Sequence, residues 1–179
     1  MAELIRVGIL GLSQRKGRFN ELGVRSWEEA GCAEVQHWLI PDDEAEDTFF
    51  IHRPLVIRPA RPALQKLLRE WCDAPHIPSR CDLILTVAGC GLGAGDCVPE
   101  ATQAVLSRSL PQIAAFVRHA SYGAPCSEAV LSRAIAGMRR GTLLINLPGP
   151  NPDMLACIMK PLAPILPDFL RDARAARRR

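Results

Sequence analysis

No two of the seven cysteines in this 179-residue sequence form a C-x-x-C pair, and their number is odd. They are scattered over Cys32, Cys72, Cys81, Cys90, Cys97, Cys126 and Cys157. That pattern argues against a disulfide frame or a zinc site and for reduced thiols. His37, His52, His76 and His119 do not join them at ligand spacings; Cys72 and His76 alone stand four apart, and one such pair makes no site. No apolar run is long enough to cross a bilayer, so no membrane partner is expected. The opening, MAELIRVGILGL, has neither a basic leader nor a small-residue cleavage site and reads as a strand, so the expected location is the cytoplasm. The body also lacks excess charge. Of the net charge of +3, the last nine residues supply +4, five arginines against Asp172, which leaves −1 for the rest. A near-neutral body with a basic tail is unlike a nucleic-acid-binding domain, whose cations share one folded face. Lys16, between Arg15 and Gly17, fits no P-loop, and the absence of G-x-S-x-G removes support for an α/β hydrolase.

What is present is ordinary in amount and unusual in arrangement. Hydrophobic residues make up 48% and charged residues 23%, as in a soluble globular domain, and the length suits one domain over residues 1–170 with a basic tail at 171–179. The organising stretch is LILTVAGCGLGAGDCVPE, residues 83–100. Leu83 to Val87 is a strand buried on both faces. Glycines then fall at every second position, Gly89, Gly91, Gly93 and Gly95, and Asp96, Pro99 and Glu100 read as a helix entry. A strand running through glycines into a helix N-terminus lets backbone N–H groups face an anion, with a carboxylate at the rim.

Along the chain, strands and helices alternate. Ile5 to Leu12 is a strand, and a cationic turn follows. A helix through Trp27 is expected to stop at Gly31, and Glu34 to Ile40 reads as a second strand ending at Pro41-Asp42-Asp43. Residues 44–61 are rich in proline and arginine and read as an inserted excursion without regular structure. Leu64, Leu67, Leu68 and Trp71 give the stripe of an amphipathic helix from Pro62. Helices are expected over 99–110, 111–120 and 127–133, a turn over 137–141, a strand over 142–146, and helices over 154–160 and 167–176. Trp27, Trp38 and Trp71 read as core or subunit contacts. His119 and Tyr122 could edge a ligand pocket, and Asp43 could bind metal or cap the next segment.

The expected fold is therefore α/β: a three-layer αβα domain with a mainly parallel, doubly wound sheet. Ligands bind such sheets at the C-terminal strand edge. Three strand ends bring groups there: Asp42 and Asp43, the loop from Gly89 to Asp96, and Asn146 to Gly149. An anion cradle with two carboxylate-bearing loops suits Mg²⁺ and a phosphorylated ligand. Gly89-x-Gly91-x-x-Ala94 formally fits the dinucleotide fingerprint, but it follows the third expected strand and no acid stands about twenty residues on.

These residues carry a resemblance. LTVAGCGLGAGDCVPEAT, Leu85 to Thr102, resembles the T-G-G-T-G…R-D-x-T-P-E-A signature of the MoaB/Mog molybdopterin-binding family of molybdenum cofactor biosynthesis. RVGILGLS resembles the family's first strand and Ile40-Pro41-Asp42-Asp43 its P-D-[DE] turn. Leu131-Ser132-Arg133 with Ala136-Gly137 resembles its S-R-x-x-A-G segment, and TLLINLPGPNP its N-L-P-G loop. The resemblance implies a three-layer fold, usually a homotrimer, and adenylylation of molybdopterin by Mg-ATP, with ATP and molybdopterin as substrates. By position it makes Asp42, Asp96 and Ser132 the catalytic residues, Asp42 and Asp96 also holding Mg²⁺. It makes Ser13, Thr86, Ala88, Gly89, Cys90, Gly91, Glu100, Asn146, Pro148 and Gly149 ligand-binding.

Several positions depart from the family's pattern. Val87, Ala88, Cys90, Gly95 and Val98 stand where it has threonine, glycine, threonine, arginine and threonine, and Gln14 stands for an aspartate. Hydroxyl and guanidinium donors to phosphate are thereby lost. Three functional expectations follow: a molybdopterin adenylyltransferase, a divergent protein that binds pterin or nucleotide without turnover, or a trimeric interaction scaffold whose 44–61 arm recruits a partner.

Overall fold

The computed structural model describes residues 4–13, 27–40, 49–52, 54–74, 80–123 and 131–177. The strands are β1 (Ile5–Leu12), β2 (Phe49–Ile51), β3 (Leu55–Ile57), β4 (Leu83–Val87), β5 (Arg108–Ser109), β6 (Ala136–Arg139) and β7 (Thr142–Leu147). The helices are α1 (Trp27–Leu39), α2 (Arg61–Asp73), α3 (Val98–Gln103), α4 (Pro111–Ala120), α5 (Pro152–Leu162) and α6 (Leu166–Arg177). All seven strands form one sheet in the order β2-β1-β4-β7-β6-β5, with β3 also beside β1. The β1, β2, β3, β4 and β7 pairings are parallel, while β6 runs antiparallel to β7 and β5 to β6.

Both faces of the central strands are covered, so period two sorts apolar residues between two cores instead of separating core from solvent. Ile5, Val7, Ile9, Leu83, Leu85, Val87, Leu143, Ile145 and Leu147 pack under α1, α4, α5 and α6. Leu10, Leu12, Ile84 and Leu144 pack on the other face against Leu64 and Leu68 of α2 and Val98 and Ala101 of α3. This is the expected three-layer αβα arrangement. The opposite edge of the sheet is closed by charge: Arg139 Nε donates to Asp73 Oδ1 at 3.0 Å, and the Arg6 backbone N–H donates to Asp82 Oδ2 at 2.9 Å. The described cysteines form no disulfide with one another, Cys126 lies outside the described residues, and burial pushes Cys72 and Cys81 up to about 12, which leaves them inert thiols. No helix among the described residues is long and apolar enough to cross a membrane.

Four expectations are corrected. Glu34 to Ile40 is no strand: α1 runs through Gly31 to Leu39, and Cys32, Val35 and Leu39 are its buried face at helical spacing. Gly31 serves close packing, since a Cβ there would lie 2.8 Å from the Pro150 carbonyl oxygen. The 44–61 stretch contains strand. Val7 pairs with Ile51 and Leu10 with Leu55, so β2 and β3 both lie beside β1, with Pro54 falling between them. The helix expected over 99–110 ends at Gln103, and the chain turns to pair Ser109 with Gly137. Residues 136–139 are β6, with Arg140 and Gly141 (φ 46° and 79°) making the hairpin turn. Most of 127–133 lies outside the described residues.

Candidate functional site at the sheet edge

Gly11, Val87 and Leu147 are register partners, so β1, β4 and β7 end together. Their continuations are Ser13, the glycine loop 88–97 and Pro148-Gly149. The ladder extends one step further, the Ala88 N–H donating to the Leu147 carbonyl at 3.2 Å, and then turns abruptly. Ala88 and Gly89 both have φ of 73°, a left-handed conformation that alanine adopts at a cost. A Cβ on Gly89 would lie 2.5 Å from Val98, the first residue of α3, so glycine is required for the loop to close onto its helix. Ala88→Gly is expected to stabilise the protein by about 0.5–1 kcal/mol, read from urea unfolding, because it relieves this strain. An unchanged or lower midpoint would show that the strain is absent.

The loop is fastened from inside and outside. The Asp96 carboxylate turns back onto it, Oδ2 accepting from the Gly93 N–H at 3.0 Å while the Asp96 N–H donates to the Gly93 carbonyl at 2.9 Å. Gly91 makes room for that carboxylate, since a Cβ would be 2.8 Å from Oδ2. From outside, Arg133 reaches over the loop. Its Nε donates to the Gly91 carbonyl at 2.8 Å, its Nη2 to the Asp96 carbonyl at 2.7 Å, and its Nη1 pairs with Glu100 Oε1. Its backbone N–H donates to the Cys90 carbonyl at 2.8 Å. Burial pushes the Glu100 carboxyl upward, but its own backbone N–H and the Arg133 guanidinium outweigh this and hold it below the usual carboxylate range, with Arg61 contributing on the same side. With the carbonyls engaged by Arg133, the Gly89, Cys90 and Gly91 N–H groups have no acceptor among the described residues. Such a row of donors can bind an anion.

The expected site residues divide into three groups. Ser13, Ala88, Gly89, Cys90, Gly91, Asp96, Glu100, Ser132, Pro148 and Gly149 come together at this edge. Within that group, Cys90 turns its thiol inward to the Ala88 carbonyl, and burial, with Asp96 adding to it, pushes its pKa strongly upward, so it is a neutral thiol. Ser132 Oγ accepts from the Ala134 N–H at 3.2 Å, beside the Arg133 contact to Cys90. Thr86 and Asn146 are inside the protein, each about 1% exposed. They face α3, where Asn146 Nδ2 donates to Thr86 Oγ1 at 2.9 Å and to Thr102 Oγ1 at 3.0 Å. The polar atoms of Asn146, expected to line the pocket, are engaged by protein. Asp42 and Asp43 lie outside the described residues, and Ile40 before them follows a helix, so the preceding strand that put them at this edge is absent. Among the described residues no group of three or more His, Cys, Asp or Glu could hold a metal.

Arg133 is the residue at this candidate site that sequence reasoning passed over. It stood next to Ser132 in the S-R-x-x-A-G segment, but its partners are remote in sequence. His119 and Tyr122 pack edge to face on each other with ring centres 5.7 Å apart.

Comparison with known proteins converges on one family. The family described as "probable molybdopterin binding domain" matches residues 51–168. A molybdopterin adenylyltransferase from Haemophilus influenzae is 31% identical over 150 residues, covering 83% of this chain and 68% of that protein. One from Helicobacter pylori is 30% identical over 158 residues, covering 87% and 81%. The crystal structure of the molybdopterin biosynthesis enzyme MoaB from Thermus thermophilus superposes with a TM-score of 0.73 at 31% identity, covering 94% of this chain and 96% of that one.

Proposed function

Since this chain belongs to the probable molybdopterin binding domain family, we propose that it acts in molybdenum cofactor biosynthesis, binding molybdopterin and ATP and transferring AMP to the pterin. The observation that carries this reading is the glycine loop at the joint ends of β1, β4 and β7, with the N–H groups of Gly89, Cys90 and Gly91 open to an anion and Arg133 holding the loop in shape. Preorganised donors of this kind stabilise charge on a phosphate under attack without reorganising during the reaction. Asp96, at the rim of the loop, would hold a Mg²⁺ together with substrate oxygens, a ligand set that suits this cation. Bound there, Mg²⁺ would neutralise phosphate oxygens. Asp96 itself is poised for that role because its backbone is fixed by Arg133 and its turn by Gly93. The same reading includes one domain over 1–170, a homotrimer and a cytoplasmic location.

A second reading, binding without turnover, is favoured by Cys90: the position that the family fills with a hydroxyl presents a neutral thiol turned away from the loop opening. One assay separates the two. Incubation with Mg-ATP and molybdopterin, followed by mass spectrometry of the pterin, is expected to give an adenylylated product, and Asp96→Ala to reduce its rate by about a hundredfold or more. No product with molybdopterin still bound selects the binding reading. Neither binding nor product removes the loop as a ligand site.

A further inference from the structure

The second strand expected at the ligand edge was to lead into an acidic loop. In the structure the strand beside β1 that ends at this edge is β3, and it continues as Arg58-Pro59-Ala60-Arg61-Pro62, a turn with two cations and no carboxylate. The turn adjoins the glycine loop. Ile57 is the register partner of Leu12, and the Ser13 N–H donates to the Ile57 carbonyl at 2.9 Å. Across the same strand end, a Cβ on Gly89 would lie 3.3 Å from Leu12 Cβ. Helix α2, which begins at Arg61, packs on α3, with Leu64 and Leu68 in one cluster with Cys90, Val98 and Ala101. Arg61 precedes Leu64 by three positions and so shares its side of the helix, one turn nearer the ligand edge. Its charge reaches both Cys97 and Glu100 at the start of α3. Arg58 and Arg61 are exposed, and no carboxylate pairs with either among the described residues.

We propose that Arg61, assisted by Arg58, is the cation that meets a phosphate of the ligand on the glycine loop, so that phosphate binding by this protein does not require a divalent metal. This rests on reading the loop as a phosphate site and deepens it by naming the counter-charge. Arg133 does not fill the role, because its guanidinium is committed to Gly91, Asp96 and Glu100. An arginine at the β3–α2 turn has the required properties: it is charged at every working pH, and its planar fork matches two phosphate oxygens. It also sits at the positive end of α2, where the helix dipole favours the same anion. Division of labour follows: Arg61 serves binding, and Mg²⁺ at Asp96 serves turnover.

The test is calorimetric titration with ATP and, separately, with inorganic pyrophosphate, each in Mg²⁺ and in EDTA. Wild type is expected to bind both probes with affinities that change by no more than about twofold on removing Mg²⁺. Arg61→Ala is expected to weaken both by about tenfold or more, and Arg58→Ala by less. Affinity must follow the charge at position 61, with Arg61→Lys above Arg61→Ala and Arg61→Glu lowest, an order that a folding defect alone would not produce. Wild-type binding that vanishes in EDTA, or any other order of the variants, overturns the proposal while leaving the loop as a ligand site. Wild type that binds neither probe in either buffer overturns both.

Discussion

Arg133→Ala is expected to lower thermal stability by about 5–15 °C and ATP affinity by at least about tenfold, because one side chain fastens the glycine loop at three points from outside. The guanidinium donates to the carbonyls of Gly91 and Asp96 and pairs with Glu100. Its removal leaves two loop carbonyls and a carboxylate without their donor, and Glu100 Oε2 already has no partner among the described residues. Hydrogen bonds from a charged donor contribute more than neutral ones, but the pair is partly solvated, with side-chain exposures of 33% for Arg133 and 40% for Glu100. Discounted for that exposure, the loss comes to about 2–4 kcal/mol. Arg133→Lys should recover only part, since one ammonium cannot span three acceptors as a planar fork does. The pH dependence gives an independent check. Glu100 is held below its usual range in the folded protein, so its contribution is complete above the unfolded carboxylate value of about 4.3 and is lost as pH falls from there through the folded value. Wild-type stability should fall over that acidic window, and Arg133→Ala should fall less. Two parallel curves would show that the pairing contributes nothing. Wild-type ATP affinity in folded Arg133→Ala would show that the loop keeps its shape without the clamp.

How much of this was legible in the sequence depended on how far apart the partners lie. β1 and β4 were readable to the residue and β7 to within one, because a strand buried on both faces is an uninterrupted apolar run. The glycine loop was readable because its spacing is local. α1 was not, since Gly31 signals a helix end and here serves close packing against Pro150. β2 and β3 were hidden because each is only three residues long and Pro54, which argues against a strand, falls between them. Moving residues 34–40 from strand to helix also changed the site, leaving Arg58 and Arg61 where an acidic turn was expected. The Arg133 side chain belongs to the loop through contacts 42, 37 and 33 residues away in sequence, and no local pattern announces those.

Asn146 poses the same problem in a sharper form, and its substitution should separate folding from binding. Asn146 and Thr86 are register partners on β7 and β4 and so point to the same face, toward α3. There the Asn146 amide donates to Thr86 Oγ1 and Thr102 Oγ1, and its Oδ1 accepts from the Ile135 N–H at 3.3 Å. One buried amide thus ties two strands, a helix and the segment that carries Arg133. Asn146→Ala leaves these groups unpaired in a dry interior, at a cost of about 2–4 kcal/mol, and should depress the urea midpoint strongly. ATP affinity measured on the folded fraction should stay within about threefold of wild type, because the amide faces protein and not the loop opening. Asn146→Asp should be worse as pH rises from about 4. A buried carboxyl resists ionisation, so its folded pKa exceeds the unfolded one, and the penalty grows at higher pH, where the unfolded chain ionises freely. A variant with unchanged stability and tenfold weaker ligand binding would return Asn146 to the pocket. A variant that unfolds early yet binds normally when folded would establish it as the strut that holds the Arg133 segment to the sheet.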